Sequence, residues 1–251
     1  MGIYTFTLEQ FHIDNTRSRH EDTNTVQFRL AVGNRSLGSH SFSAGDVNNG
    51  DHVVGLRFDR VVLAGSATPA VISYVIFNGD TGDIRGGMDG LSGQVADRAM
   101  DSLRQQVRQP GVHADVPELD YTAEGNASIA DGDNWAGFVM RRIGLSLHDF
   151  VFPNCDGFVV IGSVAKDKFA WDRAVDAAGG TTCRVTIRYP GYDSPHGCGS
   201  NSDYTVTWSV TRRRANGPSL RAFFREHGLA PAPGLRSLTP GEPMSVRQLM
   251  T

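Results

Sequence analysis

Lysine is nearly absent from this sequence of 251 residues: Lys166 and Lys168 are the only two, and the other 22 basic residues are arginines. We take this bias to indicate a GC-rich, bacterial genome. Acidic residues slightly outnumber basic ones, and the formal net charge is -3. Because general nucleic-acid binders carry excess positive charge, this balance argues against nucleic acid as a partner.

Long apolar runs are missing as well. No stretch approaches the roughly 20 apolar residues that a membrane-spanning helix needs, so we predict no membrane span. Residues 1–30 also lack the basic start and apolar core of a secretory signal peptide. We expect a cytoplasmic protein or one exported by a non-classical route.

The sequence lacks several motifs that mark common catalytic and cofactor sites. It has no GxSxG, no GxxxxGK[ST], no GxGxxG opening a helix after a strand, and no HExxH. Its three cysteines, Cys155, Cys183 and Cys198, include no CxxC pair, which argues against a structural zinc site. We therefore favour a binding protein over an enzyme of a common class.

What the sequence does contain is alternation of apolar and polar residues, the pattern of half-buried β-strands. The alternation from Ile3 to Ile13 changes face near Gln10, which predicts a β-bulge there. The run from Val71 to Phe77 is almost wholly apolar, and we expect a central strand. The first 90 residues are predicted to form five strands: 3–13, 25–32, 39–43, 53–63 and 71–77.

One long helix is predicted, from Leu91 to Gln109, because apolar residues recur there every four positions. Residues 112–134 are polar and are predicted to be a linker. From Trp135 the β pattern resumes, and residues 147–154 repeat the apolar spacing of residues 8–15. A short helix is predicted at 167–178, and strands at 181–189 and 204–211.

These patterns predict a mainly β protein of tandem antiparallel β-sandwich modules. The first module covers residues 1–90 and the second covers 135–214, with the amphipathic helix and linker, 91–134, between them. A partly helical, proline-rich tail follows at 215–251. Chance recurrence of apolar alternation is the alternative explanation for the internal repeat.

The acidic residues in the loops of the first module predict a ligand site. If successive strands run antiparallel, loops 14–24, 45–51 and 78–90 meet at one end, and loops 33–38 and 64–69 at the other. Only the first set contains acids, and Ca²⁺ takes about six to eight oxygen ligands. The candidate metal ligands are Asp14, Glu21, Asp22, Asp46, Asp51, Asp80 and Asp83. The alternative is a solvated end in which Arg17 and Arg19 neutralise the acids.

Counting strands in the same way brings Cys155 and Cys198 to one end of the second module, in loops 153–157 and 190–203. Cys183 lies near the start of its strand and is placed roughly 20 Å away, at ~3.3 Å per residue. Because bridged Cα atoms lie within about 7 Å of each other, we predict that any disulfide joins Cys155 to Cys198. Such a bridge would form only in an oxidising compartment.

The tail contains three similar pentapeptides, each with a small residue, an aliphatic residue, arginine, any residue and a large apolar residue. They predict repeated docking on a protein partner, since linked weak sites gain avidity. The candidate partner-binding residues are Leu220, Arg221, Phe223, Leu235, Arg236, Leu238, Val246, Arg247 and Leu249. The alternative is chance, because the pair Leu-Arg also occurs in the predicted helix, at Leu103 and Arg104.

The leading hypothesis is a non-enzymatic binding or assembly protein that uses the loop ends of its sandwich modules and the multivalent tail. The first alternative is a calcium-dependent carbohydrate- or surface-binding protein, such as an exported effector. A second alternative is a hydrolase that uses acidic loop residues, because paired carboxylates suffice for some hydrolytic chemistry.

Overall fold

A computed structural model describes residues 1–17, 22–79, 85–107, 114–123, 157–192 and 202–213. Several predicted features lie outside these ranges: the ligands Glu21, Asp80 and Asp83, both cysteines of the predicted disulfide, and the tail.

The described residues form nine strands and two helices, and the prediction of a mainly β, sandwich-like fold is confirmed. The first half contributes β1 (Gly2–Asn15), β2 (Asp22–Val32), β3 (Arg35–Val47), β4 (Gly50–Leu63), β5 (Pro69–Asn78) and helix α1 (Arg85–Val107). The second half contributes β6 (Asp115–Asp120), β7 (Gly157–Asp167), helix α2 (Lys168–Ala177), β8 (Thr182–Pro190) and β9 (Asp203–Arg213). Neither helix is long and apolar enough to cross a membrane.

The strands form two antiparallel sheets in which the two halves of the chain alternate. The four-stranded sheet has the order β4-β1-β9-β8, and the five-stranded sheet has the order β3-β2-β5-β7-β6. Because β1 pairs with β9 and β5 pairs with β7, strands assigned to separate modules share both sheets. The structure thus corrects the tandem arrangement to one sandwich, and residues Met1–Arg214 form one compact unit.

The bulge predicted near Gln10 is present, and it explains how β1 stays in the core over its whole length. Tyr4, Phe6 and Leu8 are buried, and the register with both neighbouring strands shifts between Leu8 and Gln10. The extra residue turns the next odd-numbered side chains, Phe11 and Ile13, towards the core.

The core between the sheets is rich in aromatic side chains. Phe6, Trp171 and Trp208 pack edge to face, with centroids 5.4 Å and 6.0 Å from the Trp171 ring. Trp171 comes from α2, which begins after the N-cap Asp167 and lies within the predicted short helix at 167–178. Burial of each such side chain contributes about 2 to 3 kcal/mol, so α2 is an integral part of the sandwich.

Helix α1 covers the outer face of the five-stranded sheet instead of joining two modules. Its predicted apolar stripe is confirmed, since Leu91, Val95, Ala99 and Leu103 are buried against this sheet. The predicted linker is corrected too, because residues 115–120 form the edge strand β6. Pro117 hid this strand from sequence reasoning, although proline is tolerated at bulges of edge strands.

Candidate functional site

The acidic end predicted from the sequence exists, but the opposite end is acidic as well. Asp14, Asp22, Asp46 and Asp51 all lie where β1 and β3 end and β2 and β4 begin. At the other end, the second half of the chain adds Asp167, Asp172 and Asp176, which lie at or in α2. The asymmetry disappears because both halves belong to the same sandwich.

Asp22 is fully buried and satisfies donors from three parts of the fold. It accepts hydrogen bonds from the backbone N–H of Arg17 at 2.8 Å, from Asn78 Nδ2 at 3.0 Å and from the Tyr204 hydroxyl. Burial, followed by the nearby Asp22 charge, raises the pKa of Tyr204 well above its usual range. These donors occupy three of the roughly four lone-pair sites of the carboxylate, so Asp22 acts in the structure as an internal acceptor.

The other described acids of this end also have partners. Asp51 Oδ1 lies 2.8 Å from His12 Nδ1, and Asp14 Oδ1 lies 3.4 Å from His12 Nε2. The hydrogen bond with Asp51 raises the pKa of His12. Asp46 accepts a hydrogen bond from Thr23 Oγ1 at 2.7 Å. In the described part of the chain, no group of three or more His, Cys, Asp or Glu residues could hold a metal ion, and calcium binding stays a prediction.

A groove lies between α1 and the hairpin that joins β2 to β3, and we call it the arginine groove. Its volume is about 170 Å³. The hairpin turns at Gly33, whose φ of 60° lies in the left-handed region that glycine favours in such two-residue turns. The helix side consists of positions spaced three or four apart, which share one face. The lining residues are Arg29, Ala31, Gly33, Asn34, Arg35, Ser36, Gly93, Ala96, Asp97, Met100 and Arg104.

Two of its three arginines are fixed by hydrogen bonds. Arg29 donates to Asp89 Oδ1 at 2.6 Å, to Ser36 Oγ at 2.9 Å and to Ser92 Oγ at 3.2 Å. Arg104 donates to Asp101 Oδ1 at 2.8 Å and, across the groove, to Asn34 Oδ1 at 2.9 Å. Each guanidinium therefore ties the helix side to the hairpin, which fixes the walls of the groove.

The third arginine and the one carboxylate of the lining have no such partners. Arg35 and Asp97 are both exposed, and neither forms an ion pair or side-chain hydrogen bond with any residue that the structure describes. An unpaired cation and an unpaired anion thus face the same groove. Sequence reasoning missed both, because it followed acids in loops and did not foresee that α1 packs beside residues 29–36.

A second polar cluster lies between the two sheets, around Glu118 of β6. The register of β6 shifts between Val116 and Leu119, and in this bulge Glu118 contacts the four-stranded sheet. Its Oε1 accepts from the Tyr189 hydroxyl, and its Oε2 accepts from Trp208 Nε1 at 3.2 Å. The Tyr189 hydroxyl also lies 2.8 Å from that of Tyr74. Burial raises the pKa of Glu118 to about 7.

Gly162 leaves the space that this cluster occupies. A Cβ atom at Gly162 would lie 2.2 Å from the Tyr189 hydroxyl oxygen and 2.6 Å from the Tyr74 ring. Both tyrosines are buried. Because Glu118 is held by residues of the opposite sheet, the cluster ties the two sheets together.

No protein-family model matches the chain, and no curated protein is similar to it.

Proposed function

We propose that this protein is a non-enzymatic binding protein and that the arginine groove holds an anionic group of its ligand. The observation that carries the proposal is the exposed guanidinium of Arg35, which has no partner among the residues that the structure describes and faces a groove with fixed walls. A guanidinium offers five N–H donors in a planar fork that matches a carboxylate or a phosphate. Arg29 and Arg104 are already held in place in the free protein, so less side-chain entropy is lost when a ligand binds.

The chemistry of the groove favours binding over catalysis. Arginine stays protonated at all physiological pH values, whereas general acid–base catalysis needs a group that titrates near the working pH. Ser36 Oγ already accepts from Arg29 and from the backbone N–H of Gly38. The groove therefore supplies positive charge and donors that hold and orient a ligand.

The test is thermal unfolding of the full chain with increasing acetate or inorganic phosphate, at constant ionic strength. A ligand that binds only the folded state raises Tm. At a ligand concentration of 100 times Kd, the free energy of unfolding rises by about 2.7 kcal/mol. The variant Arg35→Gln should lose this response while keeping its own Tm, because Arg35 has no partner to lose.

Arg57→Gln is the matched control. Arg57 is an exposed arginine on β4, in the other sheet, and it pairs with Asp59 at 2.9 Å. The control should keep the full response to the anion. No response in the unaltered protein, or an equal response in both variants, would mean that the groove is not an anion site.

Calcium binding at the acidic end and partner docking by the tail remain parts of the proposal. Three of the predicted ligands, Asp14, Asp46 and Asp51, share one end of the sandwich, which supports the proposal of a cation site there. Tail docking would make the protein an assembly factor, as the repeated pentapeptides predict.

A further inference from the structure

We infer that the ligand of the arginine groove is a small zwitterion, an α-amino acid, whose carboxylate binds Arg35 and whose ammonium group binds Asp97. This inference rests on the proposed function, since it names the ligand class for the same groove. It starts from Arg35 and Asp97, two charges of the groove that have no partner among the described residues.

The balance of charge in and around the groove favours a ligand with no net charge. The lining carries three guanidiniums, of Arg29, Arg35 and Arg104, and one carboxylate, of Asp97. Asp89 pairs with Arg29 and Asp101 pairs with Arg104, so three carboxylates offset three guanidiniums. A doubly charged phosphate would leave excess negative charge beside Asp97, whereas a zwitterion leaves none.

The shape of the groove suits a small molecule with a short aliphatic part. Its apolar lining consists of Ala31, Ala96 and Met100. Its volume of about 170 Å³ is many times the roughly 10–15 Å³ needed to hold one water, so the groove has room for an amino acid such as alanine.

We expect the groove to select amino acids, because only a ligand with both charges can pair with Arg35 and Asp97 at once. A ligand in the groove removes water from Arg35 and Asp97, and a charge without a partner then costs free energy. An amino acid pairs both charges, whereas its N-acetyl derivative leaves Asp97 unpaired and its amide leaves Arg35 unpaired. Sites that hydrogen-bond a polar group discriminate strongly against analogues that lack it.

Isothermal titration calorimetry of the full chain tests the inference, with L-alanine, N-acetyl-L-alanine, L-alaninamide and inorganic phosphate as probes. L-alanine should bind, and each of the other three should bind at least about tenfold more weakly, which corresponds to about 1.4 kcal/mol. Asp97→Asn should reduce binding of L-alanine to the level of N-acetyl-L-alanine. Asp59→Asn, an exposed aspartate on β4, is the control and should leave binding unchanged.

The possible failures separate the inference from the proposed function. If N-acetyl-L-alanine or phosphate binds as tightly as L-alanine and Asp97→Asn has no effect, the zwitterion is refuted while anion binding stands. If no carboxylate or phosphate probe binds, both are refuted. Binding of L-alanine and L-alaninamide that is insensitive to Arg35→Gln would indicate a cation site and would also refute both.

Discussion

Replacing Glu118 by glutamine should remove most of a pH dependence of stability that the Glu118 cluster creates. The pKa of Glu118 is raised from 4.5 to about 7 in the folded protein. At about 1.4 kcal/mol per pH unit, ionising this side chain therefore costs about 3 kcal/mol more in the folded protein than in the unfolded chain.

The sign follows from which state holds the proton more tightly. The folded state keeps Glu118 protonated up to about pH 7, whereas the unfolded chain releases the proton near its ordinary pKa. The stabilisation is fully present below the unfolded pKa and is lost as the pH rises through the folded pKa. Stability should therefore fall between about pH 4.5 and pH 7 and level off above.

Glutamine can keep both of the partners that hold Glu118. Its amide oxygen can accept from Trp208 Nε1, and its amide N–H can donate to the Tyr189 hydroxyl, which then donates to Tyr74. Glu118→Gln thus imitates the protonated acid. It should exceed the stability of the unaltered protein by less than about 1 kcal/mol at pH 5 and by about 3 kcal/mol at pH 8.

The assay is urea unfolding at pH 5, 6, 7 and 8, followed by tryptophan fluorescence, with the two proteins compared at each pH. The comparison cancels other titrating groups, including His12, whose pKa is also raised. Glu9→Gln is the matched control, because Glu9 lies on β1 and pairs with Arg184 at 2.6 Å. A difference between Glu118→Gln and the unaltered protein that stays constant with pH would refute the reasoning.

Three further predictions concern the core, the acidic end and the tail. Gly162→Ala should lower the free energy of unfolding in urea by about 2 kcal/mol or more, towards the upper range for overpacking. Gly65→Ala, whose Cβ would lie 3.6 Å from Thr68 Oγ1, should lower it far less, and equal losses would contradict this account of Gly162. Millimolar calcium should raise Tm, and Asp46→Asn should weaken that rise while Asp59→Asn should not. A Tm that does not change with calcium would exclude the cation site. Deleting residues 216–251 should reduce the size of the oligomer or the capture of a protein partner. No change in either would refute the hypothesis that the tail docks on a partner.

Local pattern was enough to predict most strands, the bulge and the helix stripe, because each depends on neighbours in sequence. The alternation of Tyr4, Phe6 and Leu8 specifies which face is buried. It carries no information on the partner strand, and β9, which starts at Asp203, pairs with β1 from Ile3 to Asn15. The prediction of two tandem modules is wrong for this reason, since strand order depends on contacts between distant residues.

The candidate site lay beyond prediction for a related reason. Arg35 is predicted from the sequence to be a loop residue, and Asp97 is a solvent-facing position of a helix. Only the packing of α1 beside the β2–β3 hairpin brings them to one groove. Glu118 was missed because Pro117 interrupts a polar stretch, and the bulge that accommodates proline also aims Glu118 between the sheets.

The partners of each charged group separate structural from functional roles in this protein. Asp22 and Glu118 lie where folding leaves donors that must be satisfied, and each accepts hydrogen bonds from residues distant in sequence. Their removal should change stability first. Arg35 and Asp97 form no such contacts with the described residues, so their replacement should change stability little. Replacing Arg35 or Asp97 should therefore weaken ligand binding and leave the free energy of unfolding almost unchanged.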